Sequence, residues 1–174
     1  MSEVSMIAAG SAAEEQRFLY KVYADSRREE MESWGWNKEQ RAWFLQMQYE
    51  FRRRSYEMRY EKPEVYVIGA NGQRAGQVTT AAQDGMLWIV DIAVLSPFRN
   101  HGIGTRVIRD LQTQAARQRL RVGLHVRLDN PAARRLYERL RFRVESASEL
   151  DVVMEWSDTA GSASLNHEGR IENG

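Results

Sequence analysis

The feature that most constrains this chain is an apolar run that leads into a loop with two glycines. Residues 86–95 are apolar and β-branched except for Asp91, which is typical of a buried β-strand. Gly102 and Gly104 follow, and from Ile103 onward apolar residues recur at helical spacing. A strand, a glycine-rich turn and a helix N-terminus bring backbone N–H groups and the positive end of the helix dipole together. We therefore expect this loop to hold an anion, namely the pyrophosphate of a nucleotide cofactor.

The positive charge of the chain is concentrated in and after this loop. The net charge is only +1, yet residues 99–143 hold twelve arginines and three acidic residues. Residues 144–174 hold one arginine and seven acidic residues. Single arginines are usually solvated surface side chains, but their clustering here fits a ligand that carries phosphate.

The composition excludes several kinds of site. The chain has no cysteine, which excludes disulfides, cysteine-bound metals and a thiol nucleophile. Its three histidines are scattered along the sequence, so no metal site is expected. No apolar run approaches the roughly 20 residues of a membrane span, and the N-terminus lacks a signal-peptide pattern. We therefore expect a cytoplasmic protein.

The length of 174 residues indicates a single domain. We expect this domain to cover residues 1–157, because a chain of this size can bury roughly 70% of its unfolded surface. Residues 158–174 are dominated by Gly, Ser, Asn and charged side chains, a composition that predicts a disordered tail.

Apolar periodicity predicts a mixed α/β fold. Helices are expected at about 12–30, 38–60, 103–119 and 131–140. Strands are expected at about 4–9, 65–68, 75–80, 86–95, 121–128, 142–145 and 150–156. The order is β-α-α-β-β-β-α-β-α-β-β. A right-handed crossover runs from the strand at 86–95 through the third helix to the strand at 121–128.

The first two helices have recognisable starts. Ser11 with Glu14, and Asn37 with Gln40, both match the capping-box pattern. The second helix has an apolar stripe formed by Trp43, Phe44, Met47, Phe51 and Met58. Three consecutive arginines at 52–54 have Glu50, Glu57 and Glu61 around them, which favours a solvated helix face over a nucleic-acid contact.

Two motifs carry a family resemblance. Arg99-x-x-Gly102-x-Gly104 resembles the Arg/Gln-x-x-Gly-x-Gly/Ala signature of the GNAT superfamily of N-acetyltransferases. The segment from Asn130 to Phe142 resembles the second signature of that family, Asn-x-x-Ala-x-x-Leu-Tyr-x-x-x-Gly-Phe. Both motifs have the expected order and spacing, and the resemblance covers residues 4–156. It implies a three-layer α/β (α+β) fold with a mixed sheet of six to seven strands and about four helices.

The resemblance also implies an activity, a cofactor and a set of site residues. The activity is transfer of an acyl group from acetyl-CoA to a primary amine by direct attack. Backbone groups of Ala93 and Val94 would bind the pantetheine arm and polarise the thioester carbonyl, and Asn130 would contact the same arm. Tyr137 matches the tyrosine that protonates the leaving thiolate. The diphosphate would be bound by Arg99, Asn100, His101, Gly102, Ile103, Gly104 and Thr105.

Two departures from the family pattern affect these expectations. Arg141 replaces the glycine that usually precedes Phe142, which should strain the local backbone without altering the chemistry. Trp88 lies where several members have a catalytic glutamate, so the general base is open. Asp91 is the nearest carboxylate on that strand, and it could be the base or the partner of an arginine. His125 could also be a base, but a structural role is favoured.

The acceptor should be bound by the first two helices and their connection, where Trp34 and Trp36 could line a pocket for an apolar or cationic amine. A small-molecule or peptide amine is the expected partner, and a homodimer is possible for this family. The alternative function is a non-catalytic acyl-CoA-binding regulatory domain. A nucleic-acid binder would need more net charge than this chain has.

Overall fold

The computed structural model describes residues 3–158. The strands are β1 (Val4–Ala8), β2 (Glu64–Ala70), β3 (Gln73–Gln83), β4 (Met86–Val94), β5 (Arg121–Arg127), β6 (Arg143–Ala147) and β7 (Asp151–Trp156). The helices are α1 (Ala13–Glu32), α2 (Lys38–Arg59), α3 (Ile103–Arg117) and α4 (Pro131–Arg139), with a 3-10 turn at Ser96–Phe98. The strand order is β1-β2-β3-β4-β5-β7-β6, and β4 pairs with β5 in parallel. This confirms the predicted mixed α/β fold and its element order.

The described residues divide into two compact units. Of the described residues, 3–81 and 90–107 form the first unit, and 82–89 and 108–158 form the second. Strand β4 and helix α3 therefore contribute residues to both units. The predicted tail lies outside the described residues apart from Asp158, and the single domain at 1–157 stays a prediction.

The core of the first unit is built from antiparallel strands and α1. Strand β2 pairs with β1 and with β3. Leu19, Val22 and Tyr23 recur at helical spacing on α1 and are buried, as is Ile68 on β2. On β3, a Cβ added to Gly76 would collide with the backbone of β4, so only glycine fits where the two backbones approach so closely.

Most of the apolar stripe predicted for α2 is exposed. Trp43, Phe51 and Met58 are 68%, 70% and 89% exposed, and α2 has no buried residue. The N-terminus of α2 is nevertheless stabilised, because Asn37 and Gln40 form the predicted capping box.

The predicted cap of α1 is wrong. Helix α1 begins at Ala13 with Ala12 in the N-cap position, and no side chain caps it. The Glu15 carboxylate instead accepts a hydrogen bond from the backbone N–H of Gly10 at 2.8 Å. Ser11 therefore lies one residue too early to serve as the cap.

The second unit is organised around β5. Its register with β4 runs from Met86–Arg121 to Trp88–Gly123, and on the other side it pairs antiparallel with β7. The buried core residues of this unit lie mainly on α3, β5 and β7 and include Ile108, Leu111, Val122, Leu124, Val152 and Met154. Among the described residues, every helix is too short or too polar to cross a membrane.

Candidate active site

The glycine loop turns at a left-handed glycine directly before the N-terminus of α3. Gly102 has φ +75°, a left-handed conformation that favours glycine, and α3 begins at the next residue. A Cβ added to Gly102 or Gly104 would meet no atom within 4 Å, so the surface beside these two glycines is open. The N–H groups of Ile103, Gly104 and Thr105 have no acceptor within the helix because they belong to its first turn. Open space beside the glycines and N–H groups without an acceptor inside the helix thus lie together at the positive end of the α3 dipole.

The loop is fixed to α1 by a carboxylate that the sequence does not reveal. Asp25 accepts hydrogen bonds from the Ser96 backbone N–H at 3.0 Å and from the Ser96 hydroxyl at 2.7 Å. It also accepts one from Arg99 Nη2 at 3.0 Å. Burial alone would raise the pKa of Asp25, but these hydrogen bonds and the charge of Arg99 hold that pKa below its ordinary value. Asp25 and Ser96 are 71 positions apart, and no motif links them.

The Arg99 side chain belongs to this support. Its Nε donates to the carbonyl oxygen of Val94 at 2.9 Å while Nη2 binds Asp25. The backbone N–H of Leu95 donates to Ala75 O at 2.8 Å, which ties the end of β4 to β3. In the loop, His101 Nδ1 lies 3.2 Å from Phe98 O. The backbone at the end of β4 is therefore held by the Arg99 side chain and by β3.

A cavity of about 670 Å³ lies beside Asp91 in the same unit. Its wall includes four tyrosines, Tyr23, Tyr49, Tyr56 and Tyr66. A chain of polar contacts forms part of that wall. The Thr79 hydroxyl donates to Gln77 Oε1 at 3.1 Å, and the Gln77 side-chain amide donates to the Asp91 carboxylate.

Asp91 also forms an ion pair with Arg52. The Arg52 guanidinium lies over the rings of Tyr23 and Tyr56, at 5.0 and 5.3 Å from their centroids, and Nε donates to Tyr56 Oη at 2.8 Å. Burial opposes the charge of Arg52, but the Asp91 carboxylate and Tyr56 outweigh it and raise the Arg52 pKa. Burial, with the Asp91 charge, raises the pKa of Tyr56. The sequence suggested an arginine partner for Asp91, and the structure identifies it.

The second motif lies in the second unit. Asn130 caps α4, since its Oδ1 accepts a hydrogen bond from the Ala133 N–H at 3.2 Å. Tyr137 lies on α4 with its ring edge-to-face against Phe142, at 5.7 Å between centroids. Arg141 has φ +70°, which confirms the expected strain at the position where the family has glycine.

Two other candidates have structural contacts. His125 stacks on Trp88 at 5.5 Å between ring centroids, and its Nδ1 is 3.5 Å from the Asp151 carboxylate. Trp34 and Trp36 pack on each other and on Phe44, and they do not line the cavity beside Asp91. No group of three or more possible metal-ligating side chains lies together within residues 3–158.

Comparison with known proteins defines the class. The sequence matches the acetyltransferase (GNAT) family over residues 19–142. The chain therefore belongs to the GNAT family of acetyltransferases. No curated protein sequence matches it.

Solved structures share the fold at low sequence identity. PaiA N-acetyltransferase from Thermoplasma acidophilum, in complex with coenzyme A, is 13% identical with a TM-score of 0.66, covering 91% of this chain and 99% of its own. A GNAT acetyltransferase from Elizabethkingia anophelis with acetyl-CoA bound is 16% identical with a TM-score of 0.58, covering 90% and 98%. The ribosomal-protein-S18-alanine N-acetyltransferase from Escherichia coli is 18% identical with a TM-score of 0.59, covering 90% and 94%. The seven-stranded sheet and four helices are thus a GNAT fold.

Proposed function

We propose that this protein is an acetyl-CoA-dependent N-acetyltransferase that acts on a primary amine of a small molecule or peptide. The observation that carries the proposal is the open surface beside Gly102 and Gly104, next to the first-turn N–H groups of α3. A diphosphate fits there because the donors need an acceptor and no side chain fills the space. Acetyl-CoA supplies the activated acyl group as a thioester.

The residues around this surface have separable roles. Backbone N–H groups between Arg99 and Thr105 bind the diphosphate, and the Arg99 side chain holds the loop on β4. Backbone groups of Ala93 and Val94 bind the pantetheine arm and stabilise negative charge on the thioester oxygen. The contact of Asn130 with the arm rests on the family resemblance alone; its side-chain oxygen caps α4, and its amide N–H groups are donors.

Two side chains would move protons. Asp91 faces the cavity and takes a proton from the amine, directly or through water. Tyr137 gives a proton to the leaving thiolate, a role that rests on the family resemblance. A phenol is a slightly weaker acid than a thiol, so the Tyr137 contribution to rate should be moderate.

The test uses substitutions at Gly104. In Gly104→Glu the added side chain enters open space, and an acidic residue in the first helical turn favours the helix. The variant should therefore fold as well as the wild type, yet its carboxylate repels the diphosphate. We expect coenzyme A to raise the Tm of the wild type and of Gly104→Ala, and to leave the Tm of Gly104→Glu unchanged.

Activity is read in the same variants as free thiol released from acetyl-CoA in the presence of amines. Equal coenzyme A binding by Gly104→Glu and Gly104→Ala would contradict the placement of the diphosphate. Coenzyme A binding without thiol release from any amine would favour the alternative, a non-catalytic acyl-CoA-binding domain.

A further inference from the structure

Helix α2 has an apolar face that points away from the cavity. Its members recur at intervals of four and seven residues, which places them on one side of a helix. They form the outer face of α2 and are Trp43, Met47, Phe51 and Met58. Tyr49, Arg52 and Tyr56 line the cavity from the opposite side of the helix. We propose that the outer face of α2 binds the outer face of a second copy of this chain, with the two helices antiparallel.

The outer face is about as large as one side of a protein interface. Its four residues are between 43% and 89% exposed. The exposed Trp34 and Trp36 extend it, because both pack on Phe44 in the first half of α2. Aromatic side chains bury about 150–250 Å² each and methionine is of similar size, so the exposed parts of these six residues amount to roughly 500–850 Å². A standard interface buries about 800 Å² per partner.

An antiparallel pair matches the two halves of the outer face. With a two-fold axis at Met47, Trp43 lies opposite Phe51 of the second copy, because both are four residues from the axis. Met58 lies 11 residues beyond the axis, about 16.5 Å along the helix. It therefore reaches the end of the second α2 where the tryptophan pair packs on Phe44. The antiparallel order also sets the positive end of one helix dipole beside the negative end of the other.

Two exposed charges beside the outer face favour the same arrangement. Glu39 and Arg54 lie eight residues before and seven residues after Met47, so an antiparallel pair brings them to the same level. About 100° of rotation per residue places both on the Trp43 side of Met47, the side that meets its own equivalent across this two-fold axis. Neither forms an ion pair within residues 3–158. The dimer therefore pairs each Glu39 with Arg54 of the second copy, whereas a parallel pair would set like charges together.

A lipid surface is the other apolar partner that such a helix could meet. Helices that lie in a membrane surface carry Lys and Arg beside their apolar face, and these residues bind anionic lipids. Here Glu39, Glu50 and Glu57 lie along the Trp43 side of the outer face. Their carboxylates would be brought against anionic headgroups, so a second copy is the favoured partner.

Sedimentation velocity of the full chain over a range of concentrations measures the association. We expect a monomer–dimer equilibrium with a Kd in the micromolar range or tighter. Trp43→Gln/Phe51→Gln should raise this Kd at least 100-fold, because both aromatic rings lie near the centre of the interface. Glutamine is a better helix former than either aromatic residue, so α2 should keep its structure, which circular dichroism checks. The matched control is Leu150→Gln, 80% exposed in the connection between β6 and β7, which should leave the Kd unchanged.

Charge reversal tests the orientation of the two helices. Glu39→Arg alone and Arg54→Glu alone should each raise the Kd at least tenfold, because each homodimer then has two like-charge contacts. Mixed in equal amounts, the two variants should form a heterodimer with an affinity near that of the wild type. In that heterodimer both contacts join opposite charges again.

Three results would contradict the proposal. A wild type that stays monomeric at every concentration, or a dimer that survives Trp43→Gln/Phe51→Gln, would exclude the outer face as the interface. If mixing the two charge variants restores no association, the helices are not antiparallel about Met47. A monomer that cosediments with phosphatidylserine vesicles, and loses this binding in Trp43→Gln/Phe51→Gln, would assign the outer face to a membrane surface instead.

Discussion

Replacing Arg141 by glycine should stabilise this protein. Arg141 lies just after the C-terminus of α4 in a left-handed conformation that favours glycine. Helix α4 ends at Arg139, and Arg141 has φ +70°. The Arg141 N–H donates to Glu138 O at 3.0 Å, and the Phe142 N–H donates to Tyr137 O at 3.0 Å. These two bonds and the contact between the Tyr137 and Phe142 rings define a Schellman motif, in which the left-handed residue is usually glycine.

The expected gain can be worked from this geometry. A left-handed conformation costs an L-residue about 1–2 kcal/mol. Glycine avoids that cost but loses about 0.5–1 kcal/mol more backbone entropy on folding. The Arg141 side chain is exposed, so its removal costs little. Arg141→Gly should therefore raise the free energy of unfolding by up to about 1.5 kcal/mol. The midpoint of these ranges is about 0.75 kcal/mol, equivalent to roughly 1.5–3 °C in Tm for a chain of this size.

Urea unfolding followed by circular dichroism measures this difference. The control is Arg139→Gly, also exposed but inside the last helical turn, which should lose about 1 kcal/mol. A loss of stability in Arg141→Gly, or equal effects of the two substitutions, would refute the argument that the left-handed backbone at Arg141 is strained.

Two further predictions concern the first unit. Gly76→Ala should lower the free energy of unfolding by about 1–3 kcal/mol, because its Cβ meets the β4 backbone at Ala93; Gly104→Ala, whose Cβ meets nothing, is the control in the same urea titration. Asp25→Asn should cost about 1–3 kcal/mol at pH 7, because it weakens bonds to Ser96 and Arg99. The pKa of Asp25 lies below its ordinary 3.8 in the folded protein, so its contribution is present above that pH and lost as the pH falls. The difference between wild type and Asp25→Asn should accordingly shrink below about pH 4, and a constant difference would contradict this account.

Local patterns in the sequence were sufficient to predict the element order and the glycine loop. A continuous apolar run defines β4, and alternation of apolar residues defines β5. The left-handed φ at Gly102 favours a glycine, which the sequence displays. The same logic predicted strain at Arg141, since that position is defined by its neighbours along the chain.

Contacts between distant segments could not be predicted in this way. The bonds from Ser96 and Arg99 to Asp25 join α1 to a loop more than 70 positions later. The apolar stripe on α2 is a second example, because local periodicity does not determine which face of a helix packs. Helical periodicity placed Trp43 and Phe51 on one apolar face, and both are exposed. The face that carries Tyr49 and Arg52 lines the cavity instead.

The two readings of Asp91, general base and ion-pair partner, can be separated by a double substitution. Asp91→Asn and Arg52→Gln each leave the other charge unpaired in a half-buried position, and each should lower the free energy of unfolding by about 1–3 kcal/mol. Combining them removes both charges, so the double variant should recover most of the lost stability.

Activity should not recover with stability, because the double variant still has no carboxylate at position 91 to accept the amine proton. We expect thiol release from acetyl-CoA to stay low in Asp91→Asn and in the double variant, and to be lower in both than in Arg52→Gln. The pH profile adds a second measure, since a variant without the base depends on the amine that is already neutral and should gain rate as the pH rises. If the double variant regains wild-type activity along with wild-type stability, Asp91 is a partner for Arg52 and the proton leaves by another route.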